Sequence, residues 1–300
     1  MDTEAIDICS CFFYFKFIVY LSYHTFNATF MNLNLKTLVF LIFISLMWSC
    51  QEKSMEAFPN GKWVDLSHAY EAQTPYWPTA EGFQLDTVFE GDTEGGYYYS
   101  AYQFSSAEHG GTHIDAPIHF ARGKQTVDEI PLENLTGSAI LIDVTDSVAD
   151  YIDYQINVSD FENWEAQHGK ISEGSIVLLR TGFGKFWPDK LKYMGTDQKG
   201  PVAVALLHFP GLHPDAAQWL VDERSIKAIG LDTPSIDYGR SSDFKSHRIL
   251  FEKNIPAFEN LAQLEELPVK DFYIIALPMK IKAGSGGPLR IAALIPQQAQ

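Results

Sequence analysis

Cysteine is scarce in this chain of 300 residues: there are three, Cys9, Cys11 and Cys50, and none follows position 50. Everything beyond that point works without a disulfide, a thiolate metal ligand or a cysteine nucleophile. Positive charge is also in short supply, with 22 Lys and Arg against 38 Asp and Glu and a formal net charge of -16. Such a surface excludes nucleic acid and an anionic membrane face as main partners, though it names no substrate. From Trp63 onward there is no linker, repeat or low-complexity tract. One domain over residues 63–300 is the simplest organisation, and a hydrophobic content of 46% suffices for its core.

The apolar run Thr37–Trp48 is too short to cross a bilayer comfortably. It has 12 residues, against about 20 needed for a hydrocarbon core of about 30 Å. Lys36 precedes it and Ser49-Cys50 follows, the layout of a secretory signal. Met31 opens a normal signal peptide, so residues 31–50 are expected to be a signal ending at a lipobox-like Cys50, the lipidation site. Residues 1–30 then read as a spurious upstream extension and residues 51–62 as a linker. The protein is expected to be exported and held on the periplasmic side of a bacterial membrane through lipid alone.

Strand-like runs are short: Tyr97–Phe104, Ala139–Val144, Ile176–Leu179, Lys227–Leu231 and Phe272–Leu277. Helical patterns lie between them. Ser159-Asp-Phe-Glu162 reads as a capping box opening a helix to about Gln167, with Gly169 at its end. Pro214–Glu223 has Pro in its first turn, and Ser241–Lys253 is a third candidate, stopped before Pro256. The mixture gives an α/β class without regular βαβ repeats.

The chemistry concentrates in His109-Gly-Gly-Thr-His113-Ile-Asp115-Ala-Pro-Ile-His119. Imidazoles with a carboxylate suit zinc or manganese. Gly110, Gly111 and Pro117 argue against a helix. In an extended segment His113 and Asp115 point the same way and can reach one ion. His119 continues the alternation; a neutral imidazole there can move a proton without ligating. A hydrolytic site wants further ligands, for which His247 and Glu259 are candidates, with His208 and His213 competing. Tyr76 and Trp77 are candidate walls for an aryl substrate. The loop Gly284–Arg290 lacks the GK[ST] ending of a phosphate loop and reads as a tight turn near the site. Ser235 lacks the G-x-S-x-G frame of a serine nucleophile.

These residues resemble the cyclase-type metal-dependent hydrolases, which include bacterial kynurenine formamidase and isatin hydrolase. The likeness rests on HGGTHIDAPIHF (109–120), supported by Asp65-Leu-Ser67, Tyr76-Trp-Pro78, Gly230–Ser235, Glu259-Asn-Leu261 and Pro288-Leu-Arg290. It implies a swivelling β/β/α domain, a mixed sheet with flanking helices and usually an oligomer. It implies His109, His113 and Asp115 as metal ligands, with Asp115, His247 and Glu259 around a second ion, and His119 as acid/base. Formamidases usually read Trp-Pro-Gly-Asp where this chain has Trp77-Pro-Thr-Ala80, which argues against N-formylkynurenine as the substrate, while the C-terminal half, with His208-Phe-Pro-Gly211 and Lys280–Gly287, resembles isatin hydrolase-like members. The expected reaction is hydrolysis of a C–N bond in a small aryl or cyclic amide. Lactone or ester hydrolysis at the same site, and an inactive metal-binding lipoprotein, are the alternatives. Mass spectrometry of the mature protein should find Cys50 as the first residue; peptides from residues 1–30 would refute that reading.

Overall fold

The computed structural model describes residues 60–297. The readings placed on residues 1–59, including the signal segment and Cys50, lie outside the described residues. All that follows concerns the compact unit that spans residues 58–300.

Twelve strands occur in it: β1 (Gly61–Asp65), β2 (Gln84–Asp92), β3 (Tyr98–Ser105), β4 (His113–Asp115), β5 (Thr136–Asp143), β6 (Gln155–Ile156), β7 (Ile176–Arg180), β8 (Gly211–Leu212), β9 (Ala228–Leu231), β10 (Ala257–Glu259), β11 (Phe272–Pro278) and β12 (Gly286–Pro296). Seven of them close a mixed barrel in the order β12-β11-β5-β7-β9-β10-β4, with β4 returning to β12. β1 joins β12 alongside, β2 and β3 form a separate hairpin, and β6 pairs with β8. The longer helices are α1 (Val158–His168), α2 (Pro214–Trp219) and α3 (Lys245–Phe251).

Side-chain alternation explains the barrel. In β5 and β7, Ala139, Leu141, Ile176 and Leu178 join one core cluster with Ile114, Phe258 and Ile274 from the strands around the ring. The intervening Ile140, Ile142, Val177 and Leu179 join a second cluster with Phe161, Ala216, Leu250 and Phe251 from the helices. Both faces of β7 and β9 are thus covered, which is why these parallel strands read as unbroken apolar runs. Burying each such side chain contributes about 1.5–3 kcal/mol.

The α/β expectation holds as a seven-stranded mixed barrel with flanking helices; a swivelling β/β/α layering goes beyond what the strand order shows. All five expected strands are present within two or three residues. Three details differ. The helix after Asn157 is capped by Asn157, whose Oδ1 accepts from Ser159 N while Asp160 accepts from Asn157 N, so the box sits two residues earlier than expected. The third helix is shorter, because Phe244 adopts a left-handed φ of 49° ahead of Lys245. Most importantly, the Gly-rich turn is the start of β12, whose Gly286–Pro288 pairs with β4 and closes the barrel. β1 also begins inside the stretch read as linker. Truncating Leu178 to Ala, in the fully buried barrel interior, should cost about 2–5 kcal/mol in a denaturant titration; a loss under about 1 kcal/mol would contradict the packing described.

Candidate metal centre and substrate cavity

The site forms where β4 meets β10 and α3. Glu259 of β10 lies directly across from His113 of β4. Between them the barrel takes Ile114 and Phe258 inward, so the period of two sends His113, Asp115 and Glu259 to the other face. There they meet His247 from α3. Asp115, His113, His247 and Glu259 are all buried.

Gly110 and Gly111 stand where a side chain would collide with its neighbours. A Cβ on Gly110 would fall 2.1 Å from the Tyr76 ring, and one on Gly111, where φ is +61°, 2.5 Å from the Tyr70 ring. The two glycines admit tyrosine rings against the backbone and turn it into β4.

Hydrogen bonding fixes which nitrogen each histidine presents. His113 Nδ1 donates to Gly111 O at 3.0 Å. Its Nε2 is therefore a lone pair in the neutral ring, buried with no hydrogen-bond partner although Asp115 Oδ1 is 3.1 Å away. His247 Nδ1 lies 2.5 Å from Asp237 Oδ2, which leaves Nε2 facing Asp115 Oδ2 and Glu259 Oε1, each at 3.2 Å. Ser285 Oγ donates to Glu108 at 2.6 Å and accepts from His109 Nε2 at 2.9 Å, leaving His109 Nδ1 2.7 Å from Asp115 Oδ1. Imidazole nitrogens and carboxylate oxygens thus converge on one another, an arrangement that either shared protons or a cation between them satisfies. The donor set, imidazole and carboxylate, fits a divalent ion.

The protonation pattern agrees. Burial alone would raise the Asp115 carboxyl, but His109, His113 and His247 hold it well below the usual carboxylate range. Burial would lower His247, yet its bonds to Asp115, Asp237 and Glu259 push it well above the ordinary imidazole value. Glu259 is raised by burial and by the Asp115 charge. Ligation of a cation by these groups displaces their protons, so its binding is coupled to their titration. Two ligand triads can be drawn, His109–His113–Asp115 and Asp115–His247–Glu259, each with donor atoms within 4.8 Å of one another, and both share Asp115.

A cavity of about 320 Å³ opens on this cluster, lined by Tyr76, Trp77, Phe120, Met194 and Phe244 among others. His119 lies in its wall, stacked on His109 with ring centroids 3.8 Å apart. Burial lowers its pKa to about 4, so the ring is neutral near pH 7. The expected residues therefore come together: His109, His113, Asp115, His119, His247, Glu259, Tyr76 and Trp77 all line one cavity. His208 and His213 do not. His208 pairs with Asp153 at 2.8 Å, and His213 caps α2 by accepting from Asp215 N. Ser235 lines the cavity, yet forms no bond to a histidine among the described residues.

The family profile described as "Putative cyclase" matches residues 64–238. The chain belongs to this cyclase family. It is 31% identical to an isatin hydrolase from Roseibium aggregatum, over 80% of this chain and 89% of that protein. Similarity to a kynurenine formamidase from Salinibacter ruber is 28% over 76% of this chain and 94% of the relative. Among solved structures, isatin hydrolase A from Labrenzia aggregata, bound to benzyl benzoate, matches with a TM-score of 0.71 and 30% identity, covering 79% of this chain and 94% of that one. An isatin hydrolase bound to the product analogue thioisatinate matches with a TM-score of 0.72 and 25% identity, over 88% of this chain and all of that one.

Sequence reasoning missed the residues that orient the cluster. Asp237 accepts from Ser246 N and His247 N, both at 3.1 Å, as well as from the His247 ring. Asn260 donates to Gly111 O at 2.7 Å and accepts from Tyr193 at 2.8 Å. Phe120 and Phe244 stack at 5.0 Å and complete the aromatic wall facing Trp77. The one clue was position: Asp237 lies two residues past the Gly230–Ser235 motif, and Phe120 ends HGGTHIDAPIHF. Asp237→Asn should place an amide N–H against one of these donors and weaken divalent-ion binding by about 10–100-fold, measured by calorimetric titration of chelator-treated protein; unchanged affinity would show that Asp237 does not orient His247.

Proposed function

We propose that this cyclase-family protein hydrolyses the C–N bond of a small, neutral aryl or cyclic amide. The observation that carries the reading is the convergence of imidazole nitrogens and carboxylate oxygens, with His113 Nε2 buried and without a hydrogen-bond partner, on the floor of an aromatic cavity. His109, His113 and Asp115 would hold one divalent ion, zinc or manganese, and Asp115, His247 and Glu259 a second where two bind. Such an ion polarises the substrate carbonyl and lowers the pKa of water toward about 7.

The chain's own residues supply the rest. Tyr76, Trp77, Phe120 and Phe244 clasp the ring and exclude bulk water. His119, neutral near pH 7, accepts a proton from the attacking water and delivers it to the leaving nitrogen. One C–N bond breaks, one C–O bond forms, and a carboxylate and an amine result. The isatin hydrolase and formamidase relatives support this reaction type. Outside the His/Asp/Glu cluster, the cavity wall carries no charged side chain. It therefore offers no separate partner for the ammonium and carboxylate of an amino-acid substrate. Thr79 and Ala80 line it where formamidases usually carry Gly-Asp. Both features favour an isatin-like amide over N-formylkynurenine.

A screen of metal-loaded protein on isatin, aryl formamides and lactones tests the reading; bound metal with no turnover of any of them would leave only a binding protein. His119→Ala should keep its metal and lower kcat by roughly 10²-fold or more, and near-normal turnover would remove its acid/base role. His113→Ala should lose metal by elemental analysis; full occupancy would overturn the ligand assignment.

A further inference from the structure

Positive charge is scarce on this chain, so its placement is informative. No Lys or Arg occurs between Lys62 and Arg122. Beyond that gap, Arg122, Lys245, Arg248 and Lys253 line one open cleft of about 650 Å³. All four are exposed, and none forms an ion pair with another described residue. With 38 Asp and Glu against 22 Lys and Arg, the chain has acids enough to pair every cation. Four like charges left together repel one another, and a bound anion relieves that repulsion.

Separate stretches of chain build the cleft. Lys245 and Arg248 stand one turn apart on α3, exposed where Ser246, His247, Leu250 and Phe251 of the same helix are buried. Lys253 follows that helix, Arg122 lies just past His119, and Gln218 comes from α2. Phe120 and Ile249 supply an apolar surface. The Phe120 ring is fixed between His247 at 4.7 Å, Phe244 at 5.0 Å and Phe251 at 6.3 Å. A cleft of this volume lies within the range of about 300–1,000 Å³ usual for small-molecule sites. Charge then sets the valence of the ligand. The four cations share the wall with two carboxylates, Asp243 and Glu252, which leaves an excess of two positive charges, or three when Glu252 is assigned to Lys124, its partner at 3.0 Å.

We propose that this cleft is a second small-molecule site, separate from the aromatic cavity, which binds an aryl dianion. The shared chemistry is one aromatic ring bearing two negative charges, carried by a phosphate ester or by two carboxylates. The ring lies against Phe120 and Ile249. Arg122 and Arg248 offer planar forks that match phosphate or carboxylate oxygens two at a time, and Lys245 and Lys253 add point charges. A monoanion leaves the excess charge only partly balanced. The two sites stand back to back: Phe120 lines both, and α3 gives His247 to one and Arg248 to the other. The inference concerns this cleft and does not depend on the reaction proposed above.

The test is isothermal titration of the full chain, near neutral pH and at about 0.15 M salt, with phenyl phosphate, benzene-1,3-dicarboxylate and benzoate. At least one of the dianions should bind once per chain with a Kd below about 100 μM, and the tighter of the two assigns the anion as phosphate or dicarboxylate. Benzoate, with the same ring and one charge, should bind at least about 10-fold more weakly. Lys245→Ala with Arg248→Ala should weaken dianion binding by roughly 10–100-fold, and Arg122→Ala, from the other side of the cleft, by about 10-fold. Both variants should keep wild-type circular dichroism and melting, since the side chains removed are exposed. Trp77→Ala, which alters the aromatic cavity and not the cleft, should bind the dianion as the wild type does. Absence of binding by either dianion at about 1 mM, benzoate binding as tightly as the dianions, cleft variants that bind normally, or loss of binding in a folded Trp77→Ala would each overturn the proposal, the last by placing the ligand in the substrate cavity.

Discussion

A single buried carboxylate governs the geometry of this molecule's site. Asp115 lies 2.7 Å from His109 Nδ1, 3.1 Å from His113 Nε2 and 3.2 Å from His247 Nε2. It comes from β4, where all three residues are buried. An isolated buried charge would be prohibitively costly. Three imidazoles around it, two of them with their other nitrogen committed to backbone carbonyl or carboxylate, make it tolerable and make it the member common to both candidate ligand triads. Glu259 adds a second carboxylate across the strand pair, and the two repel unless positive charge stands between them.

The barrel makes that cluster possible. Closure through β12 sets Gly286 against Asp115 and Pro288 against His113, while β10 sets Glu259 against His113. A three-residue strand held on both edges has no freedom to slip, so its outward side chains stay in register with α3. The orienting bonds then extend outward, from His247 to Asp237 and from His109 through Ser285 to Glu108. These outer partners set tautomers, and a tautomer decides whether a nitrogen can ligate.

Much of the site was legible in the sequence because its core is local: the His109–His119 stretch contains three of the converging ligand candidates and the proposed proton carrier, and period two alone aligns His113 with Asp115. His247 and Glu259 are remote, and resemblance rather than spacing pointed to them. The parallel strands β5, β7 and β9 were readable as apolar runs. β12 was not, since Gly286, Gly287 and Pro288 have turn composition and are strand only because barrel closure pairs them with β4. Ser241–Lys253 over-read its helix because nothing in the composition announces the left-handed Phe244. Asp237 and Ser285 are ordinary polar residues in sequence, and their role appears only when tertiary structure brings them to a histidine.

The central claim is that one carboxylate anchors a divalent-ion cluster on which hydrolysis depends. Metal content per chain, by elemental analysis after equilibration with zinc or manganese, tests it most directly in Asp115→Asn, which keeps the shape and removes the charge. The wild type should hold one or two ions and the variant none at the same free metal concentration, since both triads lose their common member. Wild-type stoichiometry in Asp115→Asn would contradict the account.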